Sequence, residues 1–282
     1  MTKLIVTHNH PDLDAIMGAW LLVRFDQSRY GDSSFAFVPA PTTYKNQVVD
    51  SDPRIIHIDV GGGKFDHHKP GGFKTCAAKL VWEELVAESK ISPSDQPLKE
   101  MLEVAYEIDT FKDCYWPDTE KPRMAFMLHE IIPALYRLQI YDNEAVVRLI
   151  FSYLDAVYQR LKDSEKGKEA VMEGTEFESV WGKGIVVKTA ADDVSKIAQK
   201  MGYEIVVIED TQHGYLKVKT APGVKLPLSA LYDKIGEHEP GSRWVYHNSG
   251  HMLFSGSDKG EQKEPTQLTL NDLLEMIEGV SK

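Results

Sequence analysis

The chain has 282 residues, 42% of them hydrophobic and 27% charged, which is enough for two domains and for a core that needs no disulfide or metal staple. Its formal net charge of −11 argues against long duplex DNA as a general partner, because phosphate binding wants a basic surface. No run of about 18 apolar residues occurs, so no helical membrane span is expected.

The first strand is expected at Lys3 to Thr7, a β-branched run typical of a buried parallel strand. Pro11 stands where a helix can begin, and Ala15 to Leu22 continues it. Ser34 to Val38 reads as a second strand. A third runs from Arg54 to Asp59 and stops at Gly61-Gly62-Gly63. Thr75 could cap a helix through Leu85, and another helix is expected from about Pro97 to Ile108. Strands alternating with helices imply a parallel α/β sheet, whose ligands collect beyond the carboxyl ends of the strands. Asp142 or Asn143 could cap a long helix with Val146, Val147, Ile150, Leu154, Val157 and Leu161 as its apolar stripe. The charged stretch Lys162 to Lys168 reads as solvated, with a domain boundary near it. Beyond it, Gly184–Lys188 and Glu204–Ile208 read as strands around a helix at Asp193 to Lys200. Tyr215–Thr220 and Arg243–Tyr246 follow as strands, and Thr269 to Gly279 as a closing helix.

The N-terminal apolar stretch is too short for a secretion signal. The only cysteines, Cys76 and Cys114, read as buried or idle thiols of a reducing compartment, so the expected location is the cytoplasm.

Four clusters carry chemistry. His8-Asn9-His10-Pro11-Asp12-Leu13-Asp14 sets an imidazole and two carboxylates on a strand-to-helix turn, although Asp12 could equally be a helix cap. Asp59 ends a β-branched strand and is followed by three glycines, where a plain turn aspartate would also fit. Asp66-His67-His68 offers a metal ligand, a phosphate contact and a carboxylate able to orient a ring; a surface histidine pair is the plainer reading. Asp109 falls at a helix C-terminus, where a negative charge opposes the macrodipole, and Asp113 competes for the same role. A metallo-β-lactamase-type His-x-His-x-Asp-His motif would need histidine where Leu13 stands, so His10 reads as a polar neighbour rather than a ligand. In the second half, His247, Ser249 and His251 occupy a short polar loop whose amides could bind phosphate oxygens as a nest, with Arg243 adding a charged contact.

In this order, His8-x-x-Pro11-Asp12-x-Asp14, Asp59, Asp66-His67-His68 and Asp109 resemble the four motifs of the DHH phosphoesterase superfamily. Asp59-Val60-Gly61-Gly62-Gly63-Lys64-Phe65-Asp66-His67-His68 is most similar to the melanocyte-proliferating-gene branch of 3′–5′ exonucleases, as is His247-Asn248-Ser249-Gly250. Pro11-Asp12-Leu13-Asp14 looks more like the nano-RNase and pyrophosphatase opening.

The resemblance implies an α/β fold: a parallel-sheet DHH domain over residues 1–165, a smaller α/β DHH-associated-like domain over residues 166–282, and a cleft between them. It implies that His8 and Asp12 hold one divalent cation, that Asp14, His67 and Asp109 hold another, and that Asp59 bridges them. Mn²⁺ suits this mixed donor set, with Mg²⁺ or Co²⁺ as substitutes. His68 would contact the scissile phosphate or assist the leaving group, and Arg243, His247, Ser249 and His251 would hold substrate. The implied activity is phosphodiester hydrolysis of short single-stranded RNA or DNA. Alternatives are an inorganic pyrophosphatase or nucleotide phosphatase of the same superfamily, and a non-catalytic metal-stabilised binding protein. A homo-oligomer is compatible with all three.

Overall fold

The structure is a computed structural model and describes residues 2–68, 74–191, 193–241, 244–256 and 266–280. The fold is α/β, with one parallel three-stranded sheet and one mixed six-stranded sheet. Chain contacts divide it into two compact units, Met1–Gln159 and Arg160–Lys282. No helix among the described residues is long and apolar enough to cross a membrane.

In the first unit, β1 (Leu4–His8) lies between β2 (Ser34–Val38) and β3 (Ile55–His57), all parallel. Leu4 stands opposite both Ser34 and Ile55, and His8 opposite Val38. β3 is shorter than the sequence pattern implies, because Asp59 takes up left-handed backbone at φ 57° and the chain turns there. Ile58 keeps only a single bridge, to Phe65.

α1 (Leu13–Phe25) is buried from Leu13 through Leu22, as its nearly continuous apolar run requires. Gly18 allows its close approach: a Cβ there would come within 2.8 Å of Ile58 Cγ2 and 3.6 Å of Val81 Cγ2. A short helix, α2 (Gln27–Tyr30), precedes β2. α3 (Ala77–Ala87) and α4 (Gln96–Asp109) follow β3, and α4 is capped by Asp95, whose Oδ1 accepts from Leu98 N. α5 (Leu128–Leu138) was not expected from the sequence.

α6 (Asn143–Met172) runs through the charged stretch near which the two units divide. Asp142 Oδ1 accepts from Ala145 N at its start, as expected, and the charged stretch 162–168 is helical. Its lysines and glutamates are good helix formers, so charge alone gives the chain no reason to break there. Gly167 is buried against Ile197 and Val194. Of the apolar stripe, Val146, Val147, Ile150 and Leu154 are buried, whereas Val157 is exposed.

The second unit is built on a sheet in the order β4-β5-β6-β7-β9-β8. Its strands are β4 (Thr175–Ser179), β5 (Gly182–Lys188), β6 (Ile205–Glu209), β7 (Leu216–Thr220), β8 (Val245–Tyr246) and β9 (Met252–Phe254). Only β5 and β6 pair in parallel, joined through α7 (Val194–Lys200); the other pairs are antiparallel. β6 is buried on both faces. Ile205 and Val207 join a cluster with Leu231, Ile235, Leu273 and Ile277 of α8 (Ser229–His238) and α9 (Leu270–Glu278). Val206 and Ile208 join one with Val194 and Ala198 of α7. Thr269 caps α9 in a reciprocal box with Asp272, as a Thr-x-x-acid start allows.

Candidate metal centre

β1 delivers His8 at its carboxyl end. His8 Nδ1 donates to the Asn9 carbonyl at 3.0 Å, which leaves Nε2 3.4 Å from Asp59 Oδ2. Asp12 is the N-cap of α1, its Oδ1 accepting from Ala15 N at 3.1 Å. Capping and ligation are not exclusive, because a carboxylate has further lone pairs and Asp12 also lies in a compact group with His8 and Asp59.

Asp14 has a role that the sequence did not reveal. Its two oxygens accept from Ala77 N at 2.6 Å and Ala78 N at 2.9 Å, so it caps α3 from 63 residues away in the chain. The expected cap, Thr75, does not serve: Cys76 is the N-cap residue and no side chain of its own closes the helix. The start of α3 therefore points its free amides and positive dipole end at this carboxylate.

The glycine turn returns the chain on itself. Gly61 and Gly62 have φ of 81° and 73°, conformations that side chains resist, and Asp59 N donates to Phe65 O at 2.9 Å across the loop. Asp66 closes it, accepting from Gly62 N at 2.6 Å and His68 N at 2.9 Å. This brings His67 back over Asp59, with Nε2 3.3 Å from Asp59 Oδ1, 3.5 Å from Asp109 Oδ1 and 3.8 Å from Asp14 Oδ2. Asp109 is the last residue of α4, the end at which a carboxylate gains most from a nearby cation. Asp66 Oδ1 also lies 2.9 Å from His68 Nδ1, so it orients the His68 ring rather than that of His67.

Thus seven residues from four separate segments meet. Three groups each hold their ligand atoms within 4.8 Å of one another: His8, Asp12 and Asp59; Asp14, His67 and Asp109; and Asp59, His67 and His68. Asp59 faces His8 with one oxygen and His67 with the other. Asp59 Oδ1, His67 Nε2 and Asp109 Oδ2 are buried and, among the described residues, make no hydrogen bond of acceptable geometry. Leaving such an atom unsatisfied costs about 1–3 kcal/mol, and a cation coordinated by all three would remove that penalty. Four carboxylates bring four negative charges, which two divalent cations would balance with both histidines neutral.

Protons stand in when no cation does. Burial opposes charge on His8, but the Asp59 carboxylate and the Asn9 carbonyl outweigh it and hold the imidazole up at about 9. The Asp109 and Asp59 carboxylates hold His67 up at about 10. Burial, then the Asp59 charge, pushes Asp14 up to about 7. Asp12 keeps solvent access, yet the surrounding protein and the Asp59 charge raise it as well. Burial would raise Asp59, but His67 and His8 hold it below the usual carboxylate range.

The signs give a prediction for the metal-free protein. The histidine contribution to stability is full below about pH 6.5, the unfolded value, and is lost as pH rises through 9 and 10. Asp14 acts in the same direction at lower pH: folding favours its protonated form, and that advantage is lost between about pH 4 and 7. Chelated protein should therefore melt at a falling temperature as pH is raised from 6.5 to 10 in scanning calorimetry. A flat or rising profile would contradict this electrostatic picture.

The carboxylates open onto a cavity of about 1510 Å³ whose lining residues all fall between His10 and Asn143. Asp12, Asp14, His67, His68 and Asp109 line it, together with Asp113 and His129, whose side chains lie 3.8 Å apart. His10 is in no ligand group among the described residues; its ring packs on Tyr136 with centroids 4.9 Å apart. Sequence reading missed the wall supplied by α5.

The remaining expected contacts lie in the second unit. Arg243 is outside the described residues. The His247–His251 loop is drawn inward: Ser249 N donates to His247 Nδ1, Gly250 N to His247 O and His251 N to Ser249 Oγ. These amides are engaged by acceptors of the same loop, so they do not form the open anion nest that the sequence implied. His251 Nδ1 is tied to Thr220 Oγ1 at 2.8 Å. Trp244 is buried and donates to Thr266 Oγ1, a core role rather than a stacking one.

Comparison with protein-family models gives no match to this chain, and neither does comparison with curated proteins.

Proposed function

We propose that the chain is a two-metal phosphodiester hydrolase of the DHH type, acting on short single-stranded oligonucleotides as a 3′–5′ exoribonuclease or nano-RNase. The observation that carries this reading is Asp59, with one oxygen toward His8 and the other toward His67. His8 and Asp12 would hold one cation; Asp14, His67 and Asp109 would hold the second; Asp59 would reach both. Imidazole mixed with carboxylate suits Mn²⁺, and Mg²⁺ or Co²⁺ fit the same donors. The buried atoms left without hydrogen bonds support the fit.

When bound, a pair of divalent cations supplies Lewis acidity, which activates water and offsets charge building on the phosphoryl oxygens. The chain's own residues do the rest. The α3 amides fix Asp14, and the Asn9 carbonyl fixes His8 with Nε2 toward the centre. Asp66 holds a proton on His68 Nδ1, so His68, with its side chain 64% exposed at the cavity, can hold the proton for the leaving oxygen at Nε2.

The test is turnover by purified protein in Mn²⁺ on a panel of short RNA and DNA oligomers, cyclic dinucleotides, 3′-phosphoadenosine phosphate and pyrophosphate. Release of mononucleotides from short oligomers, abolished by chelator, is expected. Phosphate release from pyrophosphate alone would select the pyrophosphatase alternative. Tight Mn²⁺ binding with no turnover on any substrate would select the non-catalytic one.

A further inference from the structure

We infer that the cavity wall formed by α5 and by the loop after α4 is a nucleobase subsite, so that the centre takes phosphate esters carrying a base rather than small inorganic anions. The inference rests on the phosphoesterase reading and sharpens its substrate class.

Size is the first argument. Pockets for drug-sized ligands run to roughly 300–1000 Å³. The cavity of about 1510 Å³ exceeds that, far more room than pyrophosphate needs and enough to admit a dinucleotide.

The lining is the second. His10 and Phe111 both face the cavity, and each stands two residues from a carboxylate of the centre, Asp12 and Asp109. Two residues span at most about 7 Å of extended chain, the reach from a phosphate to its own base. Phe111 is 81% exposed, so its ring is open to a ligand entering the cavity. Both residues adopt left-handed backbone, with φ of 52° for His10 and 59° for Phe111, a conformation uncommon for side-chain-bearing residues and concentrated at ligand clamps.

Tyr136 anchors the other side. It donates to the Pro11 carbonyl at 3.0 Å and packs its ring on His10, which fixes an aromatic pair beside Asp12. Around these rings, Arg137, Gln139 and Asn143 add donors and acceptors to the cavity lining. Arg137 is the one lysine or arginine on that lining and, among the described residues, makes no ion pair within 4.0 Å. Aromatic faces with polar groups at their edge are what a base requires: stacking on its plane and hydrogen bonds to its rim.

The experiment is calorimetric titration of Mn²⁺-loaded protein with adenosine monophosphate and, separately, ribose 5-phosphate, which keeps the phosphate and sugar but lacks the base. Adenosine monophosphate should bind about fivefold tighter or more, the smallest gain expected from stacking one base. Phe111→Ala and His10→Ala should each narrow that ratio while leaving ribose 5-phosphate affinity unchanged. Phe111 is exposed, so its variant should fold, and its circular dichroism spectrum checks this. Equal binding of the two ligands to the wild type, or a full preference retained in both variants, overturns the subsite while leaving the metal centre standing. Failure of both ligands to bind in the presence of Mn²⁺ overturns the subsite and the phosphoesterase reading together.

Discussion

Replacing Asp59 with asparagine should reduce metal-dependent hydrolysis by about 100- to 1000-fold, while the protein still folds. The magnitude is that of removing one preorganised electrostatic contact from an enzyme site. Asparagine keeps the shape of the side chain but removes the charge that lies between His8 and His67. In the metal-free protein two effects oppose each other. The protonated histidines lose an ion-pair partner, and Asp12 and Asp14 lose a repulsive neighbour. The melting temperature without metal should therefore move little. The response to cation is where the variant should differ. A ligand at a hundred times its dissociation constant stabilises a folded protein by about 2.7 kcal/mol, and wild type should show a Mn²⁺-induced rise in melting temperature that corresponds to such a gain. Asp59→Asn should show little or none. A variant that keeps wild-type activity and the full Mn²⁺ response would remove Asp59 from the centre.

Asp14→Ala should be the most destabilising of the single changes at the centre, by about 2–4 kcal/mol, with or without metal. Its side chain is 2% exposed and, among the described residues, is the acceptor for Ala77 N and Ala78 N at the start of α3. Alanine would leave both amides buried and unpaired. Asp14→Asn should fall between alanine and wild type, because its carbonyl still accepts one of the two bonds while the raised carboxylate charge is gone. Urea unfolding of the three proteins measures the order directly. If the alanine variant unfolds at the wild-type urea midpoint, the bond from Asp14 to α3 is not holding that helix.

The sequence made some of this site legible and hid the rest for physical reasons. β1 and β2 were readable because β-branched and aromatic runs bounded by polar residues leave few other structures. α1 was readable from its apolar run, but it starts at Leu13, two residues after Pro11, with Asp12 as its cap. The order of the four acidic and histidine motifs pointed to one constellation, and their side chains do meet. What failed was long-range. No local pattern shows that α3 borrows its cap from Asp14, because the contact exists only once the sheet has formed. Asp59 ended β3 two residues early because the fold places it in left-handed backbone, and strand propensity carries no such information. Pro133 lies inside α5 and reads as a helix breaker, so the wall of the cavity went unseen. The 162–168 stretch was read only as charged and solvated, although its residues favour helix.

The central claim is that two cations sit on either side of Asp59. The most direct measurement is the anomalous scattering of Mn²⁺ in crystals of this protein grown or soaked with the ion. Two peaks about 3.5–4 Å apart are expected, one near His8 and Asp12 and the other near Asp14, His67 and Asp109, each within bonding distance of an Asp59 oxygen. No peak among these six side chains, or a single peak that leaves either histidine without a metal contact, would contradict the account.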